Sequence, residues 1–367
     1  MKVFKQLKTI IELFIVFIKV ILFRLGYAVT PYKICWLLTS KCNLRCCYCD
    51  ISKPTNRKKN HEDMSFEEAL NTASQFKKLG VKFIALSGGE PLVYKHIFPL
   101  IDFLKKQGFI VGINTNGILI TDSVAKKLAE SRIDIIMVSL DYPGELQDEI
   151  RGMNGCFEKI DKAFKHLLKY KAQGKYTIGV QAVISKLNYD KIEDIFVYAK
   201  KKGVDSVALQ PTYIQPIFFG KTNTSTETLQ VPKEKIAYLK TKLQEISDKY
   251  SGFIRNSSFF LDGITKYFIN PKMPGSYCYG GGLTINISPE GYVGACHYML
   301  EKKCGTLKER TLKEIIKSNE YKDFLNKIRN KQCPTCWCPV MHEYNIFFHP
   351  LDIIRSLKLI RTARTGE

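Results

Sequence analysis

Cys42-Asn43-Leu44-Arg45-Cys46-Cys47-Tyr48-Cys49 packs four thiols into eight residues, directly behind the apolar run 34–39. The C-x3-C-x2-C spacing of Cys42, Cys46 and Cys49 supplies three thiolates from one short loop. A four-iron cubane held by three thiolates keeps one iron open for a further ligand. A structural zinc knuckle, the competing reading, requires a fourth ligand close by, and Cys47 faces the wrong way when its neighbours converge. The next apolar run, 83–87, closes on Ser87-Gly88-Gly89-Glu90-Pro91. Glycines there allow close backbone approach, and Glu90 offers an acceptor for an amino group.

Around these two motifs, short apolar runs alternate with amphipathic stretches. Strands are expected at 34–39, 83–87, 110–114, 135–140, 177–184 and 207–210, and helices at 65–79, 96–107, 122–130, 157–173 and 190–202. Gly80, Gly108, Gly174 and Gly203 each read as a helix stop. Six β/α repeats in this order imply a parallel sheet with right-handed crossovers. The predicted fold class is α/β: a partial (β/α)6 TIM-like barrel, then a small α+β cluster-binding domain, with an N-terminal amphipathic helix. The expected division is 1–30 for that helix, 31–265 for the barrel with its extension, 266–345 for the second cluster domain and 346–367 for a basic apolar tail. Residues 213–228 read as a loop and 232–250 as one more helix.

A chain of 367 residues with 45% hydrophobic content buries a core without disulfide staples. Its 12 cysteines fall largely in tight clusters, which in a reducing compartment are read as metal or cluster ligands. No small-residue cleavage site follows the apolar N-terminal stretch, so no cleavable secretion signal is read. The net charge is +21, but Lys outnumbers Arg 45 to 11 and is spread along the whole length. Nucleic-acid readers favour Arg for bidentate contacts, so nucleic acid is not the expected partner.

A second thiol set follows. Cys278 is separated from Gly291 by twelve residues, Gly291 from Cys296 by four, and Cys333-x2-Cys336 arrives after a helical stretch, 312–329. Segments 283–287 and 291–295 read as a hairpin, so Cys278, Cys296, Cys333 and Cys336 form a converging four-thiolate set. A zinc ribbon is the alternative on spacing alone. Cys338 and Cys304 are spare, and Cys338 is a substitute for Cys336. Cys35 and Cys156 read as inert buried thiols.

The Cys42/Cys46/Cys49 triplet, Tyr48 before the last Cys and Gly88-Gly89-Glu90-Pro91 resemble the two principal motifs of the radical S-adenosylmethionine (SAM) family, in order and context. The likeness covers roughly residues 33–211, and the C-terminal thiols resemble the twitch domain, a shortened SPASM module. The resemblance implies an enzyme that reductively cleaves SAM to a 5′-deoxyadenosyl radical, which abstracts hydrogen from substrate. It implies a 4Fe–4S cluster on Cys42, Cys46 and Cys49, with Cys47 a bystander, and a second, auxiliary 4Fe–4S cluster on Cys278, Cys296, Cys333 and Cys336. Tyr48, Gly88, Gly89, Glu90, Asn116, Ser139, Asp141 and Arg151 become the expected SAM contacts, Gly88–Glu90 toward the amino group and Arg151 toward the carboxylate. No side-chain acid or base is nominated, because the cofactor carries the chemistry. Tyr142 stands where many relatives have Gly, a departure that bears on the substrate-facing wall. An electron donor such as flavodoxin or ferredoxin is the implied partner.

Residues 9–23 are intensely apolar, broken by Glu12 and Lys19, and shorter than the ~20 residues of a bilayer span. Lys5, Lys8, Glu12 and Lys19 share one narrow stripe of a helical wheel, which suits a helix lying in a membrane interface. A helix packed over the open barrel is the alternative. The expected place is cytoplasmic, peripheral on the inner face of the cell membrane. That placement favours a lipid or isoprenoid substrate; peptide maturation is the alternative the family likeness suggests. An RNA-modifying radical enzyme and a non-catalytic iron–sulfur electron carrier rank lower. The latter gives Gly88–Glu90 no role.

Overall fold

A computed structural model describes residues 2–49, 51, 62–213, 227–272, 277–296, 304–333 and 336–348. Six strands run in sequence: β1 (Lys33–Leu37), β2 (Phe83–Ser87), β3 (Ile110–Thr115), β4 (Ile135–Ser139), β5 (Thr177–Ile184) and β6 (Ser206–Pro211). All five neighbouring pairs among them are parallel. The expected strands therefore appear where the sequence places them, and the fold class stands: a mostly parallel α/β sheet followed by a smaller C-terminal region. The crossover helices are α2 (Phe66–Lys78), α3 (Ile97–Lys106), α4 (Asp122–Glu130), α5 (Glu145–Arg151), α6 (Cys156–Gly174) and α7 (Ile192–Lys202). Ser65 and Glu68 close a capping box at the start of α2.

Alternate strand residues divide the sheet into two unlike faces. Ile34, Trp36, Ile84, Leu86, Val111, Ile136, Val138, Ile178 and Val180 are completely buried on one face. Each large side chain so buried contributes roughly 1.5–3 kcal/mol, an upper figure because unfolded chains already bury some apolar surface. The other face mixes small and polar residues with a few larger apolar ones, Leu37, Met137 and Val183.

The sheet does not stop at six strands. Its order is β6-β5-β4-β3-β2-β1-β7-β8, with β7 (Thr284–Ile287) parallel to β1 and β8 (Val293–Gly294) antiparallel to β7. The expected hairpin of the C-terminal region thus covers the free edge of β1, which would otherwise present unpaired backbone groups. The C-terminal region is seamed to the barrel and not merely appended. Between them lie α8 (Ile236–Lys249) and α9 (Ser258–Ile269), and beyond the hairpin α10 (Leu312–Lys317), α11 (Asn319–Arg329) and α12 (Pro339–His342). The single stretch expected at 312–329 is two helices, because Ser318 ends one and caps the next.

Gly80, Gly108 and Gly203 take positive φ and end their helices as expected, but Gly174 does not. Lys175 adopts the left-handed conformation instead, φ 54°. Gly174 is small for another reason: a Cβ there would come 2.4 Å from the Tyr176 ring and 2.8 Å from the Ala129 backbone.

The N-terminal segment is a helix, α1 (Lys2–Arg24). It packs neither over the barrel mouth nor free of the protein. Val16, Val20 and Phe23 are buried against Tyr279 and Leu283 of the C-terminal region, and Arg24 donates to Tyr279 Oη at 2.6 Å and Asn345 Oδ1 at 2.7 Å. Lys19 does not point outward as the wheel suggests. Its Nζ donates to the Thr30 carbonyl (3.0 Å) and hydroxyl (2.8 Å), and burial pulls its pKa down. A second apolar stripe remains exposed: Ile11, Phe14, Ile15, Ile18, Leu22 and Leu25. No helix among the described residues is long and apolar enough to cross a membrane. Phe347 meets Phe17 and Phe348 lies under Arg24; the rest of the expected tail lies outside the described residues.

Candidate active site

The cysteine loop follows β1 at the C-terminal ends of the strands, and it is clamped from two sides. On one side Gly89 N donates to Thr39 O at 2.7 Å and Glu90 N to Lys41 O at 2.9 Å. A Cβ on Gly88 would stand 2.5 Å from Thr39 O, and one on Gly89 2.2 Å from Lys41 O. The glycine pair is therefore required by contact with the cysteine loop itself. On the other side the last carbonyls of α5, Ile150 and Arg151, accept from Cys47 N (2.9 Å) and Arg45 N (3.2 Å). Gly152, which sequence reasoning did not single out, ends α5 at φ +64°, and a Cβ there would meet Arg45 O at 2.6 Å. The loop's shape is thus set by tertiary backbone contacts, not by the loop alone.

Asp141 is the hub beneath the loop. It is fully buried. Its Oδ2 accepts from Tyr48 Oη at 2.6 Å and pairs with Arg151 Nη2 at 2.8 Å, while Oδ1 accepts from Val183 N at 2.8 Å. Arg151 Nη1 reaches Cys46 Sγ at 3.8 Å, and Arg151 Nε is buried without a hydrogen-bond partner. Burial pushes the Cys46 thiol pKa up, and the Arg151 charge opposes that rise. Cys42 is likewise raised by burial. Cys47 is exposed, in line with a bystander role. Tyr48, Asp141, Arg151 and Cys46 form one connected group although the sequence scatters them over more than a hundred positions.

Glu90 is buried with both carboxylate oxygens engaged. Oε1 accepts from Thr115 Oγ1 (2.7 Å) and Leu92 N (3.1 Å), and Oε2 accepts from Asn116 N (2.8 Å). Burial raises its pKa to about 7. Its carboxylate secures the ends of β2 and β3, leaving the Gly88–Gly89 backbone as the part of that turn nearest the cysteine loop. Asn116 Nδ2 donates to Asn43 Oδ1 at 2.8 Å and lies 4.0 Å from Cys42 Sγ. Ser139 ends β4 half-buried, and its carbonyl accepts from Gln147 Nε2 at 3.4 Å.

The residue register places Ser87, Asn114, Ser139, Gln181 and Gln210 on the same face of the sheet, with Ala85, Gly112, Gly179 and Ala208 between them. None of the five polar side chains is fully buried. The wall offers amides and hydroxyls among small residues, with Leu37, Met137 and Val183 the larger apolar side chains of the same face.

In the C-terminal region Cys278, Cys333 and Cys336 line one cavity together with His342. The Cys336 thiol is raised far by burial and by neighbouring Cys338, Cys278, Cys296 and Cys333. Burial lifts Cys278 to about 12. Cys296 and Cys304 lie toward Tyr321, whose hydroxyl is raised by burial and by both thiols. Cys338 lies on the barrel side, beside Cys35 and in hydrogen-bond contact with Tyr213. His342, which sequence reasoning passed over, has its pKa lowered to about 3 by burial.

Both regions fit iron–sulfur clusters. None of the twelve cysteines is joined in a disulfide. Among the described residues no three His, Cys, Asp or Glu side chains sit at the close spacing of a single metal ion; a cubane's thiolates stand farther apart, each on its own iron. The first region joins three thiols on a doubly clamped loop to an unpartnered, buried guanidinium nitrogen. Thiols held neutral by burial lose their protons when metal binds.

Comparison with known proteins agrees. Residues 36–199 match the family profile of the Radical SAM superfamily, and residues 278–339 match an iron–sulfur cluster-binding domain, SPASM. A tungsten-containing aldehyde ferredoxin oxidoreductase cofactor-modifying protein of Pyrococcus furiosus is 32% identical over 46% of this chain and 48% of its own, so the chain matches about half of that relative's length. The AdoMet-dependent heme synthase of Methanosarcina barkeri is 27% identical over 79% of this chain and 83% of its own. The PqqA peptide cyclase of Rhizobium meliloti is 26% identical over 71% and 66%. Among solved structures, Streptococcus suis SuiB bound to the precursor peptide SuiA superposes with a TM-score of 0.61, at 16% identity, over 81% of this chain and 67% of the other.

Proposed function

Because the chain belongs to the radical SAM superfamily, with S-adenosylmethionine and 4Fe–4S clusters as its cofactors, we propose that this enzyme modifies a peptide. Cys42, Cys46 and Cys49 hold the first cluster, and the C-terminal thiols hold the second. Bound there, the cofactor supplies a 5′-deoxyadenosyl radical able to take hydrogen from an unactivated carbon. Asp141 fixes Arg151 and Tyr48 beside Cys46, and Arg151 directs its free Nε toward an anionic group such as the SAM carboxylate. Asn116 and Ser139 lie at neighbouring strand ends. Glu90 acts through the turn, holding Thr115, Asn116 and Leu92 in place. A flavodoxin- or ferredoxin-like donor supplies the electron.

The polar barrel wall carries the choice of substrate. Asn114, Ser139, Gln181 and Gln210 satisfy backbone N–H and C=O groups of a polyamide, whereas a hydrocarbon against them would strand several polar groups. The maturation of peptides by relatives points the same way. The lipid or isoprenoid substrate suggested by the N-terminal helix has no counterpart in this wall. Peptide and lipid fractions from perdeuterated cells separate the readings. Deuterium should enter 5′-deoxyadenosine when the enzyme turns over with the peptide fraction, and label arising from the lipid fraction alone would overturn the peptide reading.

The exposed stripe on α1 supports a second, compatible inference about place. Ile11, Phe14, Ile15, Ile18 and Leu22 form a row at helical spacing on a basic chain, and exposed Leu25 follows just past the helix end. Such a face suits the interface of an anionic membrane, with the barrel on the cytoplasmic side.

A further inference from the structure

The outer edge of β6 is held by the segment between α8 and α9. Val207 N donates to Phe253 O at 3.0 Å, Arg255 N donates to Val207 O at 2.8 Å, and Ile254 bridges Val207 in parallel. Asn256 continues the pairing, its Oδ1 accepting from Leu209 N and its Nδ2 donating to Leu209 O. Ile254 and Val207 are both buried on the apolar face. Alternation therefore sends Arg255 to the opposite face, the one that carries Ser139, Gln181 and Gln210.

There the arm of Arg255 crosses two strands. Its Nη1 comes within 3.8 Å of Met137 Sδ on β4, and the register between them runs through Ser206 and Gly179. Both are small, and a Cβ on Gly179 would stand 2.5 Å from Met137 Sδ. A thioether is only a weak acceptor. Among the described residues Arg255 makes no ion pair; Glu343, whose charge bears on it, is bound to Asn256 Nδ2 and Ser257 N. The side chain is exposed, yet desolvation by the protein around it pulls its pKa down. Both are true of a guanidinium facing a solvent-filled hollow inside the barrel. Holding a partly desolvated cation there costs free energy unless an anion meets it.

We propose that Arg255 determines specificity by pairing with a carboxylate of the peptide substrate, on an acidic side chain or at the C-terminus. The inference rests on the peptide reading above. A guanidinium grips a carboxylate through two parallel hydrogen bonds. Arg255 stands at the far edge of the six-strand run from β1 and its cysteine loop, so it is separate from Arg151. Met137 lies two residues below Ser139 on β4, roughly 7 Å along the strand. An acid anchored at that depth leaves the rest of the peptide among Gln181, Gln210 and Ser139, toward the strand ends where the radical forms.

The test uses the reconstituted full chain and the peptide fraction of perdeuterated cells, either native or methyl-esterified in acidic methanol, with deuterium in 5′-deoxyadenosine as the readout. With wild type, esterification should lower the label roughly ten- to hundredfold. Arg255→Gln, with iron content and circular dichroism as controls of folding, should lose as much on the native fraction and little more on the esterified one. Arg255→Lys should fall between, keeping the charge without the planar fork. The peptide that gives up deuterium can then be synthesised with a C-terminal amide, or with Gln and Asn for its Glu and Asp. Whichever change reproduces the esterification loss identifies the carboxylate. Wild type that labels equally from both fractions, or an Arg255→Gln variant that matches wild type or loses equally on esterification, overturns the role of Arg255 and leaves the peptide reading intact. No label from the native fraction with wild type overturns both.

Discussion

A methyl group on Gly89 would lie 2.2 Å from the Lys41 carbonyl, closer than any real contact. Gly89→Ala should therefore displace the cysteine loop at a cost of about 1–3 kcal/mol. Iron content should fall toward half while the circular dichroism of the barrel is retained; unchanged iron would show that the clamp is dispensable. Glu90 carries a pH signature. Its pKa rises from 4.5 to about 7 on folding, because burial disfavours the carboxylate. Below the lower value both states hold the proton. Between the two only the fold does, so stability falls as pH rises through that window, by on the order of 3 kcal/mol in total. Urea denaturation on either side of the window should show this loss, and Glu90→Gln should flatten it. A slope that persists in the variant belongs to another group. At this scale the thiol triplet was legible because its geometry is local. Asp141 was legible as a candidate but not as a hub, since Tyr48, Arg151 and Val183 reach it from distant segments.

Among the elements, α1 shows how far amphipathic pattern reaches. Its helicity could be read from composition, but two apolar faces on one helix do not say which is covered. The structure buries Val16, Val20 and Phe23 and leaves Phe14 and Ile18 exposed. Phe23→Ala should cost about 3–5 kcal/mol and increase amide exchange in α1 and around Tyr279. Phe14→Glu with Ile18→Glu should leave the melting temperature nearly unchanged while abolishing flotation with anionic vesicles. Wild-type protein that fails to float would remove the membrane inference and leave peptide modification untouched. The helix ends tell a similar story. Glycine stops were legible at Gly80, Gly108 and Gly203, where left-handed backbone favours glycine, but not at Gly174, whose smallness serves Tyr176 and Ala129.

Across the whole molecule, the β/α alternation made the barrel legible, because each crossover helix and strand carries its own period. The docking of β7 on β1 was not. A parallel pair joining residues about 250 positions apart leaves no local pattern. That seam ties the second thiol region to the strand preceding the first cysteine loop, giving one body with two cluster regions. Reconstituted protein should hold about eight irons, and the Cys42/Cys46/Cys49→Ala variant about four; zinc in place of the remaining iron would make the C-terminal region a ribbon. The central claim is that the clamped loop holds the cluster that cleaves S-adenosylmethionine. The most direct measurement is 5′-deoxyadenosine production by anaerobically reconstituted, chemically reduced protein. Wild type should release it with methionine and the Cys42/Cys46/Cys49→Ala variant should not, whereas full cleavage by that variant would contradict the account.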